Sequence, residues 1–163
     1  MDSYPLVGYA IHRMELARSE HHVYYAKYHY VWTPKYRHPV FQEPYRTTLK
    51  EIILKTGYDY DITIHEIEIP TDHVHALVSF APPISISHCI RILKSISARE
   101  FFQHYPDIKH KYFWGGKLWS PSYYVETIGD RNERAITSYI KNQLVAEQRQ
   151  LAQLQQLKLF PQP

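Results

Sequence analysis

The alternation of apolar and polar positions predicts seven elements, preceded by residues 1–22, which hold no sustained period and read as an extension. Residues 24–33 (YYAKYHYVWT) are dense in aromatic and β-branched side chains and stop at Pro34, which predicts a strand. The period then changes over residues 44–56. Pro44 suits a first helical turn, Leu49, Ile52 and Ile53 make an apolar stripe, and Gly57 suits a stop. Residues 60–69 read as a second strand with apolar positions 62, 64, 67 and 69, and the slip in phase at His65–Glu66 predicts a bulge. After a turn at 70–72, residues 73–80 form a third strand. Pro82 and Pro83 break the chain before Ser85 or Ser87 caps a helix that reaches about His104, with Ile86, Ile90, Leu93 and Phe101 apolar. Residues 105–120 read as a loop with aromatics and Gly115–Gly116, and residues 121–127 hold a short fourth strand. Asp130 then caps a last helix, with Glu133 as its capping-box partner and an apolar stripe of Ile136, Ile140 and Leu144 that continues towards Leu157.

The order β-α-β-β-α-β-α predicts an α+β fold: an antiparallel four-stranded sheet with helices on one face, ferredoxin-like or RRM-like. At 163 residues the chain fits one domain with trimmings. Residues 76–90, which hold no Asp, Glu, Lys or Arg, contain two prolines and are too short to span a bilayer. With no signal-peptide pattern at the N-terminus and one cysteine, Cys89, which excludes an internal disulfide and a Cys-rich zinc site, the expected setting is the cytoplasm. Net charge is only +3 but unevenly spread: residues 27–55 and 73–119 each carry six basic and two acidic side chains, while residues 56–72 carry five acids and no Lys or Arg. Two basic segments converging on one face would make a phosphate-binding surface, and a solvated surface of alternating charge explains the same counts.

His73-Val74-His75 is the sharpest local feature. On a strand the two histidines share a face with Leu77 and Ser79, about 6–7 Å apart, close enough to hold one metal; the polar face of a half-buried strand accounts for them equally well. Tyr139 and Gln143 are one turn apart on the last helix and project from one face. A phenol with a pKa near ~10 is a poor nucleophile while protonated, and a nearby divalent cation would favour its phenolate, with a glutamine amide oxygen as a neutral ligand. An ordinary helix with a packed tyrosine and a solvated glutamine fits the same spacing. Trp32-Thr33-Pro34-Lys35-Tyr36-Arg37 mixes aromatics and cations in the manner of a strand that stacks bases and holds phosphates. Arg91 and Lys94, three apart on one helix face, suit a nucleic-acid backbone, and Trp114, Trp119, Tyr123 and Tyr124 suit base stacking or core packing. No Walker loop, dinucleotide fingerprint or G-x-S-x-G elbow is present, so no nucleotide cofactor is expected.

Three stretches in order, YHYVWTPKYRHPVF at 28–41, DHVHALVSF at 72–80 and LWSPSYYVETIGD at 118–130, followed by the Tyr139-x-x-x-Gln143 helix, resemble the HUH-type single-tyrosine transposases of the smallest insertion sequences, the IS200-like family. The resemblance covers about residues 24–143. It implies a catalytic domain over residues 23–143, an N-terminal extension over 1–22 and a C-terminal helical extension over 144–163. It further implies Tyr139 as the nucleophile, and His73, His75 and Gln143 as ligands of one Mg²⁺ or Mn²⁺. The implied substrate is single-stranded DNA with a hairpin, cut and rejoined through a 5′-phosphotyrosine intermediate by a homodimer in a prokaryotic cytoplasm. A covalent tyrosyl ester conserves the bond energy that strand rejoining needs. The basic and aromatic residues Lys35, Arg37, Arg91, Lys94 and Trp119 are the expected DNA contacts. The alternatives are a non-catalytic RRM-like nucleic-acid-binding module, against which stands the absence of the RRM aromatic signature, a domesticated relative that processes host repeats, and a metal-binding scaffold without a nucleophile.

Overall fold

In the strand Lys27–Trp32, Tyr28, Tyr30 and Trp32 face the main hydrophobic core, while Lys27 and His29 face the other way. That alternation organises the domain. The computed structural model describes residues 17–19, 22–24, 26–129 and 132–159. Two short antiparallel strands, β1 (Ala17–Ser19) and β2 (His22–Tyr24), pair with each other and precede the domain. The main sheet has the order β4-β5-β3-β6, from Ile62–Glu68 (β4), Val74–Phe80 (β5), Lys27–Trp32 (β3) and Tyr124–Ile128 (β6), and every neighbouring pair is antiparallel. This is the expected α+β sheet, with β5 and β3 at its centre.

Helices α1 (Tyr45–Asp59) and α2 (Ile86–His104) cover one face of the sheet. Leu49, Ile52 and Ile53 of α1 and Ile90, Leu93 and Phe101 of α2 pack there on Tyr30, Val74, Ala76 and Val78. Ser85 caps α2, its hydroxyl accepting from the His88 N–H. Gly57 does not end α1, which runs two residues further. The glycine serves close packing instead: a Cβ there would lie 2.8 Å from the Ile62 carbonyl oxygen and 2.9 Å from Ile64 Cδ1. The predicted loop over 105–120 contains a short helix, α3 (Pro106–Tyr112), started by Pro106 in the first turn, where a missing N–H costs nothing.

The last helix, α4 (Glu133–Leu159), lies on the opposite face. Ile140 and Ile136 pack on Leu77 of β5 and Ile128 of β6 in a second, smaller core. The expected bulge is present: the β4–β5 register shifts between Ile64 and Glu66, which leaves His65 as the extra residue. Both side chains then serve the α4 side, His65 bonding Ser79 Oγ at 2.8 Å and Glu66 pairing with Lys141 at 3.3 Å. A buried Lys27–Glu133 ion pair ties down the start of α4. Further along, Glu147 accepts from the Thr71 N–H and hydroxyl and faces Arg46 at 3.5 Å. The predicted Asp130 cap lies outside the described residues. Among those residues no helix is long and apolar enough to cross a membrane.

Candidate active site

Three histidines and a tyrosine meet where α4 crosses β5 and β3. His75, the second residue of β5, points to the α4 side and is 4% exposed. His73 stands just before the strand, and the two rings are 4.7 Å apart between centroids, nearly perpendicular. The Tyr139 ring lies edge-on to His75 at 5.6 Å and to His29 at 6.3 Å, and Tyr139 remains half exposed. Nucleophile candidate and histidines therefore belong to one chain and one surface.

The His73 and His75 rings are each held from the Nδ1 side. His73 Nδ1 lies 2.5 Å from Asp72 Oδ1, and Asp72 Oδ2 takes the Arg37 guanidinium at 3.0 Å. Burial alone would raise the Asp72 carboxyl; the hydrogen bond and charge of His73, with Arg37 beside it, hold it below its ordinary value. His75 Nδ1 lies 3.1 Å from His29 Nε2. Burial, then the neighbouring His73 and His29 rings, push the His75 pKa down to about 3, so the ring is neutral. His29 is also lowered by burial, against the raising effect of Glu126.

The donor set suits a divalent cation. A neutral imidazole with Nδ1 occupied presents Nε2 as a lone pair, and ligand histidines usually bond an outer partner through the other nitrogen. Among the described residues no three His, Cys, Asp or Glu side chains converge in a way that could hold a metal. A third protein ligand, if a metal binds, would be of another type. Gln143 is half-buried on α4, one turn after Tyr139 beside His75 and one turn before Glu147 at Thr71, which sets it alongside the 71–75 segment.

Residues 22–143 match the family described as IS200-like transposases. The chain belongs to this family. The ISDra2 transposase TnpA of Deinococcus radiodurans is 36% identical over 135 residues, which is 83% of this chain and 96% of that protein. The transposase of insertion sequence element IS200 from Salmonella typhimurium is 36% identical over 118 residues, 72% of this chain and 76% of that one. A crystal structure of a candidate transposase from Deinococcus radiodurans R1 superposes with a TM-score of 0.65 at 34% identity, covering 78% of this chain and 97% of that one. A REP-associated tyrosine transposase bound to a REP hairpin shares the fold, with a TM-score of 0.55 at 18% identity over 79% of this chain and 74% of that one.

The residues expected to contact DNA in this IS200-like transposase have different surroundings. Trp119 is corrected to a core residue. It is 7% exposed, packs edge-on against Trp32, and donates its indole N–H to Ser97 Oγ at 3.1 Å, which leaves no open face for a base. Lys94 is a loop anchor: its ammonium donates to the carbonyls of Ser120, Pro121 and Ser122 at 2.6, 3.3 and 3.2 Å. Arg91 lies exposed against His88 on α2. Lys35 stands over the exposed Tyr36 ring at 4.8 Å, and Arg37 reaches the histidine site through Asp72. Tyr36 and Arg37 both have left-handed backbones, φ 62° and 51°, a costly conformation for two successive L-residues and one that accumulates at functional sites. The acids of 56–72 do not lie apart from the bases, since Glu66, Glu68 and Asp72 pair with Lys141, Lys50 and Arg37.

Sequence reasoning missed His29. Its signal was available in the alternation of β3, where Lys27 and His29 occupy the same face as His75 of β5, and polarity on that face reads as solvent exposure unless a helix is known to cover it.

Proposed function

We propose that this transposase cuts and rejoins single-stranded DNA with Tyr139 as the nucleophile. The phenolic oxygen attacks the scissile phosphorus, the bond from phosphorus to the 3′-oxygen breaks, the phenol gives up its proton and the departing 3′-oxygen takes one. A 5′-phosphotyrosine ester and a free 3′-OH result. Attack by another strand's 3′-OH reverses the exchange, and one phosphorus–oxygen bond replaces another throughout, so no nucleotide is consumed. The observation that supports this reading is the position of Tyr139: half exposed, edge-on to His75 and His29. Tyr124 also reaches His29, but its hydroxyl donates to Glu126 at 2.6 Å and its pKa is raised by that bond, so it is the poorer nucleophile.

His73, His75 and Gln143 are the residues that would hold Mg²⁺ or Mn²⁺, with Arg37 close by through Asp72. Such a cation, when bound, stabilises negative charge on the phosphate. Imidazole nitrogen and amide oxygen form a labile set compatible with either metal. Membership of the family, and the hairpin bound by the REP-associated relative, support DNA with a hairpin as substrate; a homodimer is the working form that the family resemblance implies.

The test is a denaturing gel of purified protein with Mn²⁺ or Mg²⁺ and labelled, hairpin-bearing single strands from the DNA flanking the encoding element. A metal-dependent protein–DNA adduct is expected for wild type and not for Tyr139→Phe or His75→Ala. An adduct that persists in Tyr139→Phe would overturn the assignment.

A further inference from the structure

His29 is as deeply enclosed as the ligand candidate it touches. Its side chain is 5% exposed and sits between the edges of Tyr124 and Tyr139. The ring stacks almost parallel to His75, 12° between planes, with Nε2 3.1 Å from His75 Nδ1. On its far side Nδ1 is buried without a hydrogen-bond partner, yet Glu126 Oε1 lies 3.7 Å away. The other Glu126 oxygen accepts from the Tyr124 hydroxyl at 2.6 Å, which aims the carboxylate.

Two neutral imidazoles sharing one hydrogen bond have two tautomeric arrangements. In one, His29 donates from Nε2. Its bare Nδ1 lone pair then faces a carboxylate, which is repulsive, and the His75 proton sits on Nε2, the nitrogen a metal would need. In the other, His75 donates from Nδ1 to His29 Nε2, and the His29 proton on Nδ1 points at Glu126. Only the second gives every polar atom a complementary neighbour.

We infer that Glu126 and His29 form a positioning relay that fixes His75 in its Nδ1–H tautomer and presents its Nε2 lone pair to the cation. The inference rests on the metal-site reading above. It makes the site doubly braced: Asp72 orients His73, and Glu126 acting through His29 orients His75. Removal of such outer partners weakens metal binding by roughly 10- to 100-fold in comparable sites.

The first readout needs no metal. A long-range ¹H–¹⁵N correlation spectrum of the metal-free protein is expected to show His75 protonated at Nδ1, and Glu126→Ala is expected to mix the His29 and His75 tautomers. The second readout is Mn²⁺ affinity by titration calorimetry. His29→Leu is expected to lose roughly 10- to 100-fold, whereas His29→Gln, whose amide oxygen can replace the Nε2 acceptor, stays close to wild type. A His75 proton on Nε2, or a His29→Leu affinity equal to wild type while His75→Ala abolishes binding, would overturn the relay alone. Absence of Mn²⁺ binding by wild type would overturn the metal reading and the relay with it. If His29→Leu fails to fold, the conservative variant and the tautomer spectra of wild type and Glu126→Ala decide the matter.

Discussion

Asp72 grips His73 with one carboxylate oxygen and Arg37 with the other, so a candidate metal ligand and an exposed guanidinium share a single support. Arg37, which with Tyr36 has a left-handed backbone, reaches that carboxylate with its guanidinium. The expected result of Asp72→Ala is a roughly 10- to 100-fold loss of Mn²⁺ affinity with a matching fall in adduct yield. Asp72→Asn, which still accepts a hydrogen bond, is expected to lose less. Calorimetry beside the adduct gel checks both, and equal affinities for wild type and Asp72→Ala would refute the bracing role.

Within the single chain α4 lies across the sheet that carries His75 and His29 and sets Tyr139 beside them, an arrangement that predicts a site completed by the chain's own tyrosine. Tyr139→Phe and His75→Ala should therefore fail to complement each other. The expected outcome of mixing the two inactive variants is no adduct above that of either alone. Substantial recovery would mean that α4 exchanges between protomers during the reaction.

Lys94 and Lys35 separate two roles that composition lumps together. Lys94 spends its ammonium on three loop carbonyls, so Lys94→Met is expected to cost about 1–3 kcal/mol of stability in urea titrations. The same change should leave the salt dependence of DNA binding intact. Lys35→Ala is expected to do the reverse, lowering the slope of log affinity against log salt by about 0.7 with little change in stability. A reduced slope in Lys94→Met would return that residue to the DNA surface.

His65, the extra residue of the bulge, carries a pH signature. Burial foremost, with Lys27 nearby, lowers its pKa from 6.5 to about 4 in the folded protein. Between those values the unfolded chain binds the proton and the folded chain does not. The stability from keeping His65 neutral is thus complete above 6.5 and is lost as pH falls towards 4. His65→Gln keeps a partner for Ser79 but cannot titrate, so its stability should fall less steeply across this window, by up to about 1.4 kcal/mol per pH unit. Denaturant titrations through the window check it; parallel curves for the two proteins would refute it.

How much of this could be read beforehand follows from what local pattern encodes. Strand alternation and Pro or Gly punctuation are local, and they located the sheet, the bulge and the helices that flank it. The short helix at 106–112 escaped because its aromatic and glycine-rich neighbours dominate the segment. The histidine pair and Tyr139 were singled out through the family resemblance, since their spacing alone fits an ordinary strand and helix equally well. His29, Lys94 and Trp119 were not legible, for one shared reason. Their roles depend on what passes over them: α4 over β3, the 118–122 segment over α2, and the core over the chain that pairs Pro34 with Trp119. Burial of that kind is a property of tertiary arrangement, and a lysine, a histidine or a tryptophan carries no local mark of it.

The placement of α4 also decides how a nucleic acid can approach. A bare four-stranded sheet offers its open face as a platform on which bases lie flat. Here Ile136 and Ile140 cover that face by packing against Leu77 and Ile128, and ion pairs at Glu133, Lys141 and Glu147 fasten the helix along its length. A strand cannot lie across the middle of the sheet while the helix covers it. On the proposed function it would come in at the rim, where Tyr139, His73 and Arg37 stand, and would meet them with its sugar–phosphate backbone. Reading the sequence of the DNA must then fall to other surfaces, and the covered face is left to hold chemistry rather than bases.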